Sequence, residues 1–189
     1  MSKKKIFSII LFTLGIFLLG IYHIYYGIKS EEDKIIISEY IKEENILDEE
    51  KKILPLKISK ILGVLEIPKI NLKKEFYAID SNENNVNKNI TVLKGSSMPN
   101  ILGKTLFLAA HSGNSYLGYF KNLLKLTKED NLIIHYQQKK YFYYINDIYE
   151  LPKNGTIEIN KNTHENYLVL TTCHNNNQLV MTAKLLKIE

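Results

Sequence analysis

Two side chains suggest nucleophilic chemistry, and each of them follows an apolar run. Cys173 is the only cysteine of the chain; it comes after the run 167–172 and before the polar residues 174–177. His111 comes directly after the run 105–110. A thiol with an ordinary pKa of about 8.5 is mostly protonated at neutral pH, and a neighbouring imidazolium lowers that pKa by several units. The pattern predicts a Cys–His pair with a thiolate nucleophile.

Both residues also have ordinary structural explanations, which the sequence leaves open. A lone cysteine is most often an inert buried side chain, and a lone histidine is most often a hydrogen-bonded structural residue. His174 is a poor base for its neighbour, because adjacent strand residues point to opposite faces. His135 lies inside a predicted strand and His164 in a predicted loop, so neither is favoured as the base. Metal-ligand spacing is missing from the sequence, and we predict no metal site.

The elements that must position these residues are mostly strands. Short runs rich in Ile, Val, Tyr and Thr alternate with turn residues, which is typical of a β-barrel or sandwich. About 130 residues suit one closed barrel. One segment, 116–126, has helical spacing of its apolar residues. The predicted strands are 63–68, 90–93, 105–110, 131–136, 139–151, 156–159, 167–172 and 178–187.

The N-terminal residues predict a membrane anchor. Three lysines precede an uncharged apolar run, 6–28, that ends in tyrosines. About 20 apolar residues in a helix cross a bilayer, and aromatic residues suit its interface. A cleavable signal peptide, the alternative, has a shorter run and a small-residue exit. Residues 31–52 hold nine acids against four lysines, so positive charge flanks only the N-terminus. We expect a cytoplasmic N-terminus and an extracellular remainder.

Three regions follow from this reading: an anchor (1–28), a stalk (29–59) and a globular domain (60–189). Ser30 and the acids after it resemble a helix start. The stalk is either a helix that packs over a site or a partner, or a solvated spacer. Although the net charge is +5, every basic residue is Lys, which is typical of an AT-rich genome. We therefore predict no nucleic-acid partner.

Six segments, taken together in order and spacing, resemble the sortase family of membrane-anchored cysteine transpeptidases from Gram-positive cell surfaces. Each segment is unspecific by itself. The resemblance covers residues 60–189, and the predicted anchor agrees with it. The segments are 63–70, 95–99, 108–113, 120–123, 168–173 and 179–185.

The resemblance implies a closed eight-stranded barrel and an activity. Cys173 would attack a backbone carbonyl in the sorting signal of a secreted protein, and His111 would be the acid/base partner. An amine of a peptidoglycan precursor or a pilin would then resolve the thioacyl enzyme. Thr172, Ser112 and Asn175 are the expected substrate-binding residues. We expect no cofactor; some relatives bind Ca²⁺ through loop acids, but the sequence does not support such a site.

One departure from the family concerns the residue that donates hydrogen bonds to the oxyanion, the negative oxygen that forms when the substrate carbonyl is attacked. Sortases carry an Arg on the last strand, whereas this chain has Gln178 there and contains no Arg. Charged hydrogen bonds are roughly twice as strong as neutral ones. Either Gln178 is a weaker donor, or a Lys or the Asn175–Asn177 loop contributes, or the enzyme is impaired. The hypotheses are therefore a transpeptidase, a catalytically impaired peptide-binding module and a cysteine hydrolase of the same fold.

Overall fold

A computed structural model describes residues 3–43, 61–158 and 164–189. The predicted stalk residues 44–59 and the end of the predicted strand at Ile159 lie outside them. The chain divides into two compact units, Met1–Ile36 and Ile37–Glu189.

The first element is a long helix, α1, Lys3–Glu43. It is long and apolar enough to cross a membrane, and its apolar side chains between Phe7 and Ile28 are exposed. No helix begins at Ser30, so that detail of the prediction is wrong: α1 continues through Ser30. Capping residues mark a start only where the preceding chain is not helical, and no Pro interrupts the apolar run before Ser30.

The second unit contains a nearly closed barrel of eight strands in the order β2-β1-β5-β6-β8-β7-β4-β3. Neighbouring strands are antiparallel, except that β4 and β7 are parallel. An isolated parallel bridge between Phe76 and Ile90 links the two ends of the sheet. The predicted all-β barrel is therefore confirmed. The strands are β1 Ile61–Ile67, β2 Leu72–Tyr77, β3 Thr91–Val92, β4 Thr105–Ala109, β5 Asn131–Tyr136, β6 Lys139–Pro152, β7 Tyr167–His174 and β8 Asn177–Ile188.

Two strand predictions differ from the structure. β2 was not predicted, because its charged residues hide the strand pattern; Lys74 and Glu75 are buried and form an ion pair of 2.8 Å. The reverse error occurs at 156–158, which belong to no strand. A few β-branched residues do not form a strand unless a neighbouring strand pairs with them.

The helix predicted at 116–126 is also wrong. The segment consists of turns and a short 3₁₀-helix, Leu123–Lys125. At Gly118 the chain passes so close to Gly113 that a Cβ would lie 1.7 Å from the Gly113 carbonyl oxygen. Phe120 and Leu123 are buried in the core. The apolar spacing therefore indicates which residues pack into the core, but it does not distinguish a helix from a series of turns.

Near the end of β7, side chains alternate between the core-facing and the outward face of the barrel wall. On β7, Leu168 and Leu170 belong to the hydrophobic core. Successive strand residues point to opposite faces, so Thr171 and Cys173 point away from the core. Thr171 is nevertheless only 4% exposed, so β7 is buried on both faces almost to its end.

Candidate active site

The parallel pairing of β4 and β7 brings two chain segments to the same edge of the sheet. Ala109 of β4 pairs with Thr171 of β7. His111 lies two residues after Ala109, and Cys173 lies two residues after Thr171. The register therefore brings the segment that carries His111 beside the segment that carries Cys173 at this edge.

Side-chain hydrogen bonds extend this register beyond the last paired residues. The Thr172 hydroxyl donates to the Ala110 carbonyl oxygen at 2.7 Å. The Ser112 hydroxyl donates to the carbonyl oxygen of Cys173. Both bonds cross from one strand to the other, one in each direction. They hold the segment that carries His111 against the segment that carries Cys173.

Cys173 is exposed, so the alternative of an inert buried cysteine does not apply. It lies near the tip of the β7–β8 hairpin, where Asn175 has a φ of 52°. Asn is among the side chains that tolerate this left-handed conformation. The tight connection presents the thiol at the surface instead of continuing the buried strand.

His111 is half-buried and has a side-chain partner that the sequence did not indicate. Its Nε2 lies 3.1 Å from Oδ1 of Asn87. The loop holding Asn87 is itself tied to β3, because Asn84 accepts from the Val92 N–H at 2.7 Å and donates to its carbonyl at 3.0 Å. With an Nε2–H donated to Asn87, the lone pair of His111 is on Nδ1. The only available signal was the Asn-rich composition of 82–89.

Gln178 pairs directly with Cys173 across the β7–β8 ladder. Its side chain is half-buried, and its Nε2 donates to the Thr171 hydroxyl at 2.7 Å. That hydroxyl in turn donates to the Leu179 carbonyl oxygen at 3.0 Å. The Gln178 amide is therefore held on the outward face of the sheet, the face to which its ladder partner Cys173 points.

A pocket of about 230 Å³ adjoins the cysteine. Thr172 and Leu179 contribute to it from the core-facing side of the sheet, whereas Gln178 lies on the opposite side. The residues expected to bind substrate, namely Ser112, Thr172 and Asn175, all line it; the others are Phe120, Lys121, Leu124, Cys173, His174 and Leu179.

Two other histidines, His174 and His135, have carboxylate partners. His174 Nδ1 lies 2.7 Å from Glu150 Oε1, and Asn177 donates to the other Glu150 oxygen at 2.8 Å. These hydrogen bonds, that from Asn177 first, lower the pKa of Glu150. His135 is buried on β5 and lies 2.8 Å from Glu66. Burial lowers the pKa of His135 despite this carboxylate.

Within the described ranges, no group of three or more His, Cys, Asp or Glu side chains could hold a metal ion. The expectation that the protein needs no cofactor stays a prediction.

The sortase domain model matches residues 65–186, from β1 into β8. The chain belongs to the sortase family. The match includes both the β4 and β7 exits and the Cys173–Gln178 pair, and it supports a sortase-type function. A comparison with curated proteins finds no significant match.

Solved sortase structures share the fold. Sortase C of Streptococcus pneumoniae has 22% identity and a TM-score of 0.61, covering 84% of this chain and 92% of its own. Sortase C2 of Group B Streptococcus Pilus Island 1 has 20% identity and a TM-score of 0.62, covering 82% and 99%. The lid mutant of sortase A from Corynebacterium diphtheriae has 18% identity and a TM-score of 0.60, covering 85% and 96%.

Proposed function

We propose that the chain is a sortase-type cysteine transpeptidase that joins secreted proteins to an amine of the cell wall or of a pilin. The observation that carries the proposal is the exposed Cys173 thiol at the exit of β7, next to the His111 segment at the exit of the parallel strand β4. No other cysteine is present to act as the nucleophile.

The first half-reaction forms a thioester. His111 takes the proton of the Cys173 thiol, and the thiolate sulfur bonds to the backbone carbonyl carbon in the sorting signal. The carbonyl π pair moves onto oxygen. When the C=O bond re-forms, the C–N bond breaks and His111 gives the proton to the leaving amine. The pocket beside Cys173 is then the place for substrate groups next to this bond.

The second half-reaction transfers the acyl group. An amine nitrogen bonds to the thioester carbonyl carbon, His111 takes one of its protons, and the C–S bond breaks when the tetrahedral intermediate collapses. The sulfur leaves as a thiolate and the product is an amide. Water in place of the amine gives a carboxylic acid, which is the reaction of the hydrolase alternative.

Gln178 takes the place of a charged oxyanion donor in this scheme. Its amide can donate one neutral hydrogen bond, and loss of an oxyanion donor in other enzymes costs on the order of 10²- to 10³-fold in rate. We therefore propose that Gln178 supports slower acyl transfer than an Arg would. The absence of Arg from the chain is also the observation that favours the second candidate, a catalytically impaired peptide-binding module.

We further propose that α1 anchors the protein in the cell membrane with the N-terminus in the cytoplasm and the barrel outside. The helix is the part of the described chain that is long and apolar enough to span a bilayer. The partners are then extracellular: secreted proteins that carry a sorting signal, and a peptidoglycan precursor or pilin amine.

The deciding experiment is mass spectrometry of the full chain incubated with peptides of candidate sorting signals. We expect a mass increase equal to the acyl fragment on Cys173, released as a ligated product when an amine such as triglycine is added. Cys173→Ala abolishes both signals. Full peptide cleavage by the Cys173→Ala variant contradicts the proposal, and acid as the only product at high amine concentration identifies a hydrolase.

A further inference from the structure

We propose that Thr171 is a positioning residue that fixes the orientation of the Gln178 carboxamide beside the Cys173 thiol. This inference rests on the proposed function, because it concerns how that site stabilises the negative oxygen formed during acyl transfer. The structure that carries it is a directed pair of hydrogen bonds, from Gln178 to Thr171 and from Thr171 to Leu179.

The orientation of the amide follows from counting hydrogens. A hydroxyl has one hydrogen and two lone pairs. Thr171 uses its hydrogen on the Leu179 carbonyl oxygen, at 3.0 Å, so it can only accept from whatever else it meets. Gln178 must therefore present its NH₂ group, and not its oxygen, to Thr171, at 2.7 Å. Without the hydroxyl, the amide could rotate to place either group there.

Gln178 lies directly across the β7–β8 ladder from the residue that carries the reacting sulfur. Gln178 and Cys173 are direct partners in the antiparallel ladder, and such partners have Cβ atoms about 4.5–5.5 Å apart on one face. An amide nitrogen carries two hydrogens, and Thr171 takes one. The second remains for an oxyanion on the carbon that the sulfur attacks.

Burial explains why a neutral contact can hold this orientation. Thr171 is 4% exposed, so water competes little for its hydroxyl. In such an environment a donor left without an acceptor is costly, which keeps the two hydrogen bonds formed. By orienting the amide, the Thr171 hydroxyl contributes part of the oxyanion stabilisation that an Arg would provide through its charge.

The test compares two reactions of Cys173 in the full chain. With 4-nitrophenyl acetate, the thiolate bonds to the ester carbonyl carbon, an oxyanion forms, and collapse expels 4-nitrophenolate and leaves an S-acetyl group. With iodoacetamide, the thiolate displaces iodide and no oxyanion forms. A residue that acts on the oxyanion affects the first rate only, whereas general damage to the site or the thiol affects both.

Thr171→Val removes the hydroxyl and keeps the branched shape. We expect acetylation to slow by about threefold to tenfold, the size of one lost neutral hydrogen bond, with iodoacetamide alkylation unchanged. Thr171→Ser keeps the hydroxyl and restores the rate. The matched control is Thr182→Val on the same face of the sheet, where a threonine 5% exposed donates to Asn146 instead; its acetylation rate should not change.

A double-mutant comparison adds a second criterion. In a Gln178→Ala background, Thr171→Val should cause no further slowing of acetylation, because the group it positions is gone. Equal slowing in both backgrounds, or equal slowing of acetylation and alkylation, overturns the positioning role. If the unmodified protein is alkylated at Cys173 but never acetylated, the proposed function itself fails, and that result differs from an active enzyme insensitive to Thr171→Val.

Discussion

Two histidines of this protein occupy opposite kinds of position in the same barrel. His135 lies within β5, where it is 4% exposed and contacts Glu66, which also pairs with Lys73 at 3.1 Å. His111 lies just past the end of β4, half-buried, and contacts the neutral amide of Asn87. Inside the strand, burial and the contact with Glu66 give the His135 imidazole a structural role. At the strand exit, Nε2 of His111 contacts Asn87, and Nδ1 is the nitrogen that would exchange a proton in the proposed reaction.

The sharpest test of this comparison replaces each histidine in turn. His111→Ala should lower the rate of acyl transfer by about 10²- to 10⁴-fold, the usual range for a general acid–base group. His135→Gln should leave that rate within about twofold, because its effect is on stability. The measurement is the acylation rate of Cys173 by mass spectrometry. Similar losses in the two variants would remove the distinction between exit and interior.

A smaller effect is expected from charge at the oxyanion. Gln178→Arg should raise the acyl-transfer rate by about tenfold or more, because a charged donor binds a negative oxygen more strongly than a neutral amide does. Steady-state turnover of a peptide substrate measures it. The control, Leu186→Arg, adds the same charge at an exposed position near the other end of β8. An unchanged rate for Gln178→Arg means that Gln178 does not face the oxyanion.

The contact of His111 with Asn87 predicts a more modest change. Asn87→Ala should slow acyl transfer by about threefold to tenfold, since one hydrogen bond that orients the ring is lost. Asn85→Ala, in the same loop, is the matched control because the Asn85 side chain accepts from the Asn87 N–H, whereas the hydrogen bond to the His111 ring is made by the Asn87 side chain. If the two substitutions have equal effects, the loop matters as a whole and the His111 contact does not.

The smallest effect concerns stability as a function of pH. The folded-state pKa of His135 lies below its ordinary value of 6.5, chiefly because of burial. The unfolded chain therefore binds a proton first as pH falls, and stability decreases below about pH 6.5. The free energy of unfolding in urea should fall between about pH 7 and pH 5.5, with a smaller slope in His135→Gln. An identical slope in both proteins would show that other groups cause the loss.

The sequence predicted a strand of the barrel correctly where the residues of that strand are apolar or β-branched. The runs that became β4, β5, β7 and β8 are apolar or β-branched, and each strand covers nearly the residues predicted for it. β2 escaped prediction because Lys74 and Glu75 are charged, although the folded barrel buries both of them. The segment 116–126 was wrongly predicted to be a helix. Its apolar residues do pack into the core, but turns and a short 3₁₀-helix carry them there.

The sequence by itself determined that the chain has one thiol, that this thiol comes at the end of an apolar run, that the chain has no Arg and that an apolar N-terminal run is long enough to span a membrane. Tertiary structure alone decided which distant groups lie beside that thiol. The parallel pairing of β4 with β7 places the His111 segment there, the β7–β8 register adds Gln178, and the loop before β3 supplies Asn87 to His111. The physical reason is that strand register and loop closure are set by cooperative packing over the whole barrel, which residue types and their spacing do not encode locally.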